Sequence, residues 1–323
     1  AGPPPAAASQ PARPTEPGSL LGRVPVGRGP QGVVVSPDGT RAYTANYQDI
    51  TVIDIAAGTA TATIGLNSIE TLALSPDGSR LYVPMLSGFL SIVDTATNTQ
   101  VAAVPIPDWP TSATVAPDGR SVYIAHNDST SKEVFLTVVD TASSAVVATV
   151  PVIPPDPARQ AAGTAFLAVA PDSATVWVAS NDSVTVVDPA AHTVVATIPV
   201  PRSENISIAG DRAYVFRGLE GITVIDTAAR TKLGDIPLGG VTQAMTVAPD
   251  ARYLYVASRD TAPDQPATIQ VIDTTTSSLV HEITVGEQPT VPVGLAVAPD
   301  GRTLFLAATA ADAALVVDTS PYV

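Results

Sequence analysis

A short turn signature returns seven times along this chain, and the distance between copies leaves little choice of architecture. It reads Ser36-Pro37-Asp38-Gly39, Ser75-Pro76-Asp77-Gly78 and Ala116-Pro117-Asp118-Gly119 in full. Looser copies follow at Ala170-Pro171-Asp172-Ser173, Ala209-Gly210-Asp211-Arg212 and Ala248-Pro249-Asp250-Ala251, and Ala298-Pro299-Asp300-Gly301 closes the series. Asp38 and Asp300 are 262 residues apart over six steps, a period of about 44. A unit of that length cannot bury its own apolar face and must stack on its neighbours.

A second element recurs in phase, a β-branched run ending in Asp. Its copies are Val52-Ile53-Asp54, Ile92-Val93-Asp94, Val138-Val139-Asp140, Val186-Val187-Asp188, Val224-Ile225-Asp226, Val271-Ile272-Asp273 and Val316-Val317-Asp318. Each unit therefore reads as four strands. Strand A is apolar and runs into the Pro-Asp turn, where Pro presets φ, Asp bonds the local backbone and Gly takes a left-handed position. Strand B carries an aromatic: Tyr43, Tyr82, Tyr123, Trp177, Tyr214, Tyr255 or Phe305. Strand C ends in the Asp, which caps the next turn. Strand D is of the Val195–Val200 type. Strands A and C are almost continuously apolar, so both faces of each are expected to be buried between neighbouring sheets.

The expected fold is all-β: a seven-bladed β-propeller with four antiparallel strands per blade. The seventh unit stops at Val323, after its strand C. A spare strand D lies at the other end, where Leu21-Gly22-Arg23-Val24-Pro25-Val26-Gly27 matches Leu233-Gly234-Asp235-Ile236-Pro237-Leu238-Gly239 in character. The N-terminal strand is expected to complete the last blade and close the ring, which protects edges that an open array would expose. Residues 1–18 are rich in Pro and Ala without hydrophobic period and are expected to be a disordered spacer, leaving 19–323 as the propeller. Such a spacer at a processed N-terminus fits a secreted, periplasmic or cell-envelope protein whose signal peptide has been removed.

These residues resemble the YVTN-type propeller repeat family, of the quinoprotein amine dehydrogenase-like and lactonase-related kind. The naming tetrapeptide is nearly present at Tyr43-Thr44-Ala45-Asn46, and the repeat pattern covers about residues 19–319. The chain departs from it at Gly210, which replaces Pro, and at Ser173 and Ala251, which replace Gly. The resemblance implies an extracytoplasmic binding module. Related propellers include lactonases, lyases and cofactor-bearing oxidoreductases, and the fold does not choose among them.

Charge and composition narrow the partners. The net charge of −14 argues against duplex nucleic acid and anionic membranes. No apolar run approaches the ~18 residues of a membrane span. There are no cysteines, which removes disulfides, thiolate metal sites and a Cys nucleophile. With only three histidines, no metal site and no cofactor are expected, and a monomer is the expected state.

Blade geometry puts the A–B and C–D turns on one face and the B–C and D–A loops on the other. The repeats lengthen at B–C and D–A, which marks that face as the binding surface. The D–A connections offer Arg28, Gln31, Glu70, Trp109, Arg159, Arg202, Glu204 and Gln243. The B–C loops add Tyr47, His126, Arg217 and Arg259. Arginines converging on an axial mouth suit carboxylate recognition, and a loop Trp suits stacking. The leading expectation is a module that binds a protein, peptide, glycan or small polar ligand on this face. The alternative is a lactonase-like hydrolase or a lyase, with Glu70 or Glu204 as base and Arg and His126 as electrophilic groups.

Overall fold

The computed structural model describes residues 18–66, 71–107, 109–128, 131–153, 164–259, 266–285 and 292–323. Residues 1–17 of the expected spacer lie outside them.

Seven antiparallel sheets follow one another along the chain. Blade 1 is representative: strand A is Gly32–Val35, B is Arg41–Ala45, C is Asp49–Asp54 and D is Thr59–Gly65. In blade 4 strands B and C run on as one element, Val176–Asp188, between Ala165–Val169 and Thr193–Ser203. The A strands touch one another in sequence around a closed circle, from Gly32–Val35 through to Pro292–Val297 and back. They are therefore the innermost strands.

The closing strand is the N-terminal one. Leu20–Pro25 pairs antiparallel with Ala313–Asp318, with Arg23 opposite Leu315 and Val24 opposite Ala314. The core consists of seven apolar clusters, each shared by two adjacent blades. The seventh joins Val24, Phe305 and Ala314 of the last blade to Val33, Ala42 and Ile53 of the first. Hydrophobic burial is thus distributed over interfaces, and the ring holds only when every interface is made.

The expectation for strand A needs correction. Strands B and C are buried nearly throughout, whereas strand A is mostly half-buried, as in Thr111–Val115 and Phe166–Val169. Both faces of B and C meet neighbouring blades. Strand A borders the axis, where seven blades cannot meet at a point, and its apolar residues there keep partial exposure.

The two repeated aspartates act as turn caps. All seven strand-C aspartates accept backbone N–H groups of the following turn, as Asp94 does from Ala96 and Thr97 at 3.0 and 2.9 Å. The Pro-Asp turns also touch from blade to blade. A Cβ on Gly78 would stand 2.9 Å from the Pro37 ring, and Gly39 faces Pro299 across the closure. These contacts make the A–B face a close-packed ring of turns.

Candidate functional site

On the opposite face a cavity of about 520 Å³ opens among blades 4, 5 and 6. Blade 4 turns from strand B to C at Asn181 and Asp182, with Asn181 at φ 56, a left-handed position that Asn tolerates. The Asp182 carboxylate accepts the Arg202 N–H at 3.2 Å. The buried Ser203 hydroxyl donates to the Asn181 and Ser183 carbonyls at 3.2 and 2.9 Å. The end of strand D is so pinned to the corner of its own blade. Glu204 is the single residue between that strand and strand A of blade 5, Asn205–Ala209. Its N–H donates to the Phe216 carbonyl at 2.9 Å.

The B–C loop of blade 5 braces this connection. Glu220 meets Arg202 at 3.6 Å and Arg217 at 3.2 Å. Gly218 lies against Glu204, so close that a Cβ there would stand 3.1 Å from Oε1. From blade 6, a register shift between Thr242 and Ala244 leaves Gln243 as an extra residue in the cavity wall, the kind of bulge that re-aims a side chain.

Two wall groups carry unmet hydrogen-bonding capacity. The Thr242 hydroxyl, on a residue 3% exposed, has no partner among the described residues, and neither has the Asn181 side-chain amide nitrogen. Glu204 keeps part of its side chain open to the cavity. Desolvation raises its carboxyl above the ordinary range, while the Arg202 charge pulls the other way. The Arg202–Glu220 pair is solvent-exposed on both sides and holds the guanidinium by about 1 kcal/mol or less. A ligand can therefore recruit Arg202 at small cost. The lining offers a donor group in Arg202, acceptors in Glu204 and Asp182, and apolar wall from Phe166 and Phe216, with the buried, unpartnered Thr242 and Asn181 groups within the wall.

A second cavity, about 440 Å³, opens at blade 3 and includes Trp109 and His126. His126 is only 4% exposed and stacks on Phe135 with ring centroids 5.3 Å apart. Its Nε2 pairs with the Thr137 hydroxyl at 2.9 Å. Burial pushes the imidazole down to about 4, with the Asp128 charge opposing, so the ring is neutral at neutral pH. Trp109 is 60% exposed at φ 60.

The other candidate residues stand apart from both cavities. Arg217 is turned away into ion pairs with Glu220 and, at 3.3 Å, Asp235. Arg28, Gln31 and Tyr47 cluster at blade 1: the Arg28 carbonyl accepts the Tyr47 N–H, Gln31 donates to the Gly29 carbonyl, and Tyr47 is 51% exposed. Arg259 is exposed at the end of strand B of blade 6. Glu70 and Arg159 lie outside the described residues. The residues thus fall into separate groups around the face. His126 and Glu204 line different cavities, so no acid–base pair forms between them. A third, smaller groove of about 160 Å³ lies among the Pro-Asp turns, beside Asp38 and Asp77. Among the described residues, no group of three or more His, Cys, Asp or Glu could hold a metal.

Thr242, Asn181, Asp182 and Phe135 were not singled out in the sequence. The Asn-Asp pair was the legible signal: it shortens the B–C connection of blade 4 to a two-residue corner. Thr242 and Phe135 sit at ordinary strand positions and carry no such mark.

The fold defines the class: this chain is a seven-bladed β-propeller. No protein-family model matches it. It is similar to the seven-bladed beta-propeller protein Rv1057 of Mycobacterium tuberculosis, 38% identical over 82 residues. That match takes in 24% of this chain and spans about a fifth of the relative's length, 20%. Among solved structures it is similar to hydrazine synthase of Kuenenia stuttgartiensis, with a TM-score of 0.76 and 21% identity. The alignment covers 90% of this chain and 96% of that one. At that identity the likeness is one of fold.

Proposed function

We propose that this propeller is a binding module of the cell envelope or extracellular space that recognises a polar partner, such as a peptide or glycan, through its B–C/D–A face. The principal contact is the cavity among blades 4, 5 and 6. One observation carries the reading: Thr242, whose buried hydroxyl has no partner among the described residues, lines the same cavity as Arg202, Glu204 and Gln243. An unpaired buried polar group costs about 1–3 kcal/mol, and a ligand group that satisfies it recovers that cost. The backbone supports the same face. Outside the repeated turn positions, the left-handed non-glycine residues among those described are Trp109, Lys132, Asn181, Arg202 and Asp312, all on this face. Such strain concentrates where structure serves recognition.

Peptide and glycan arrays probed with the intact protein test this. Arg202→Ala and Glu204→Ala should each lose binding while stability changes by about 0.5 kcal/mol or less. Undiminished binding by both variants, or a partner that maps to the Asp38, Asp77 and Asp118 turns, overturns it. The raised carboxyl of Glu204 favours one second reading, a hydrolase or lyase using Glu204 as general acid or base. Turnover of a lactone or polar ester that is abolished in Glu204→Gln, with binding retained, would select it.

A further inference from the structure

The register of blade 3 lines up rings across the sheet. Pro110 of strand A stands opposite His126 of strand B, His126 opposite Phe135 of strand C, and Phe135 opposite Pro151 of strand D. At this position of strand B the other blades carry Asn46, Met85, Ser180, Arg217, Ser258 and Ala308, so the row of rings belongs to blade 3 alone. Trp109 precedes the row. Its carbonyl accepts the Asn127 N–H at 3.3 Å, so the backbone is anchored while the indole remains 60% exposed. A bulky residue at φ 60 without burial gains nothing from packing that would offset the strain.

Charge decides what such a cavity accepts. Its described lining holds the carboxylate residue Asp128 and no Lys or Arg. His126 adds no positive charge near neutral pH, because burial keeps it unprotonated. The whole chain, at −14, concentrates cations at its surface. Aromatic faces attract a cation through the ring quadrupole, most strongly for Trp. A phosphate or carboxylate ligand would meet the Asp128 carboxylate and no cationic side chain of the described lining.

We propose that the blade-3 cavity is a second ligand site, separate from the one among blades 4 to 6, and that it takes an organic cation of the alkylammonium type against Trp109 and Phe135. Phe135 is stiffened by its stack on His126, and His126 is held by Thr137. The Phe135 side of the platform is therefore formed before the ligand arrives, which reduces the ordering cost of binding. The cation can belong to a free small molecule or to a methylated lysine side chain of a protein, and both present the same head group.

The chain contains two tryptophans, and Trp177 is fully buried at 0% exposure. Acrylamide-quenchable emission therefore reports Trp109. Choline titrated into the intact protein at fixed ionic strength should protect that emission, and uncharged 3,3-dimethylbutan-1-ol, of the same shape, should protect it far less. By calorimetry, Trp109→Ala should weaken choline binding about tenfold or more, and Trp109→Phe should retain part of it. Asp128→Asn should weaken it several-fold, and its Asn retains an acceptor for the Ser131 N–H that now bonds Asp128 at 3.1 Å. A trimethyl-lysine peptide that binds more tightly than choline assigns the cation to a protein partner, and the reverse order assigns it to a small molecule. Equal protection by choline and its uncharged isostere overturns the proposal. So does choline binding that is unchanged in Trp109→Ala while the melting temperature of that variant matches the parent.

Discussion

Two turns of the same design, one with Gly and one with Ala, show how far a single Cβ matters here. Gly78 sits at φ 74 with the Pro37 ring 2.9 Å from the place a Cβ would take. Ala251 occupies the matching place in blade 6 at φ 60. A left-handed L-residue costs about 1–2 kcal/mol, and glycine gives back about 0.4–1 kcal/mol through the freer unfolded chain. Ala251→Gly should therefore stabilise the protein by about 0.5–1 kcal/mol, read as a higher denaturant midpoint at unchanged slope. Gly78→Ala should cost about 2 kcal/mol or more, because strain and collision act together. Ser173 is a less clean case, since its hydroxyl accepts the Asp118 N–H at 3.2 Å and ties blade 4 to blade 3. His126 supplies the second expectation at this scale. Its folded pKa, about 4, lies below the unfolded value of about 6.5. The unfolded chain then binds the proton first, so stability should fall as pH drops from about 6.5 to 4. His126→Gln should flatten that segment of the stability–pH curve, and an unchanged slope would show that His126 titrates alike in both states.

At the scale of the element, each blade ends outward in a strand D whose far edge is unpaired, and exposed aliphatics such as Val101, Val147, Val195 and Val280 lie along it. Seven such edges would invite strand addition from other chains. Every C–D pair, the closing one included, carries a register shift near the start of strand D. A bulge there twists the edge and breaks the ladder that an incoming strand would extend. The turn caps at that same end set the acid limit. Hydrogen bonds from Ser36 and Thr40 hold Asp38 down to about 2, and those from Ser75 and Ser79 do the same for Asp77. Asp94, Asp140 and Asp273 are lowered by their own turn donors. These folded values lie below the unfolded range, so the stability they confer is complete above about pH 4 and is lost as pH falls towards 2. Thermal unfolding followed between pH 5 and 2 should show proton uptake by several groups in that lower window. Asp77→Asn should remove part of it. Strand order and turn chemistry were legible in the sequence because every element recurred seven times in phase. The burial of strand A was not legible, because apolar composition cannot distinguish a strand packed between sheets from one bordering an axis. The site was less legible for a related reason. It is built where the repeat breaks, at Asn181-Asp182 and at Glu204, which as single copies show no period, and at Gln243, whose strand-A bulge recurs in blades 3 and 7 but only as register seen on folding. The variable position that holds His126 could be aligned from the repeat, but its stack on Phe135 depends on cross-strand register, which appears only on folding.

For the whole molecule, stability rests on closure. Seven interblade clusters make a ring whose last interface joins the two ends of the chain, through Val24 and Phe305 on one side and Val33 and Ile53 on the other. Val24 is 2% exposed, and the Leu20–Pro25 strand covers the full length of Ala313–Ala314 and its continuation to Val317. Removing residues 1–27 should expose that strand as an apolar edge and strip the cover from the last cluster, costing several kcal/mol at about 25 cal/mol per Å² of apolar surface uncovered. Removing residues 1–17 leaves every described contact in place, and the melting temperature should stay within about a degree or two of the parent, as expected for a change below about 0.5 kcal/mol. The contrast between the two truncations is the measurement. Equal melting temperatures would mean that closure contributes nothing, and loss of both would place stabilising contacts in residues 1–17. Closure also reaches the proposed binding face. Gly29 donates to the Asp312 carboxylate at 2.7 Å, and Thr309 donates to the Pro30 carbonyl at 2.7 Å, so the loops of blades 7 and 1 hold each other across the seam. Blades 4 to 6 lie away from that seam. In the longer truncation, the cavity with Arg202 and Glu204 should therefore keep its affinity at temperatures where the protein remains folded, while the Arg28, Gln31 and Tyr47 group loses its support.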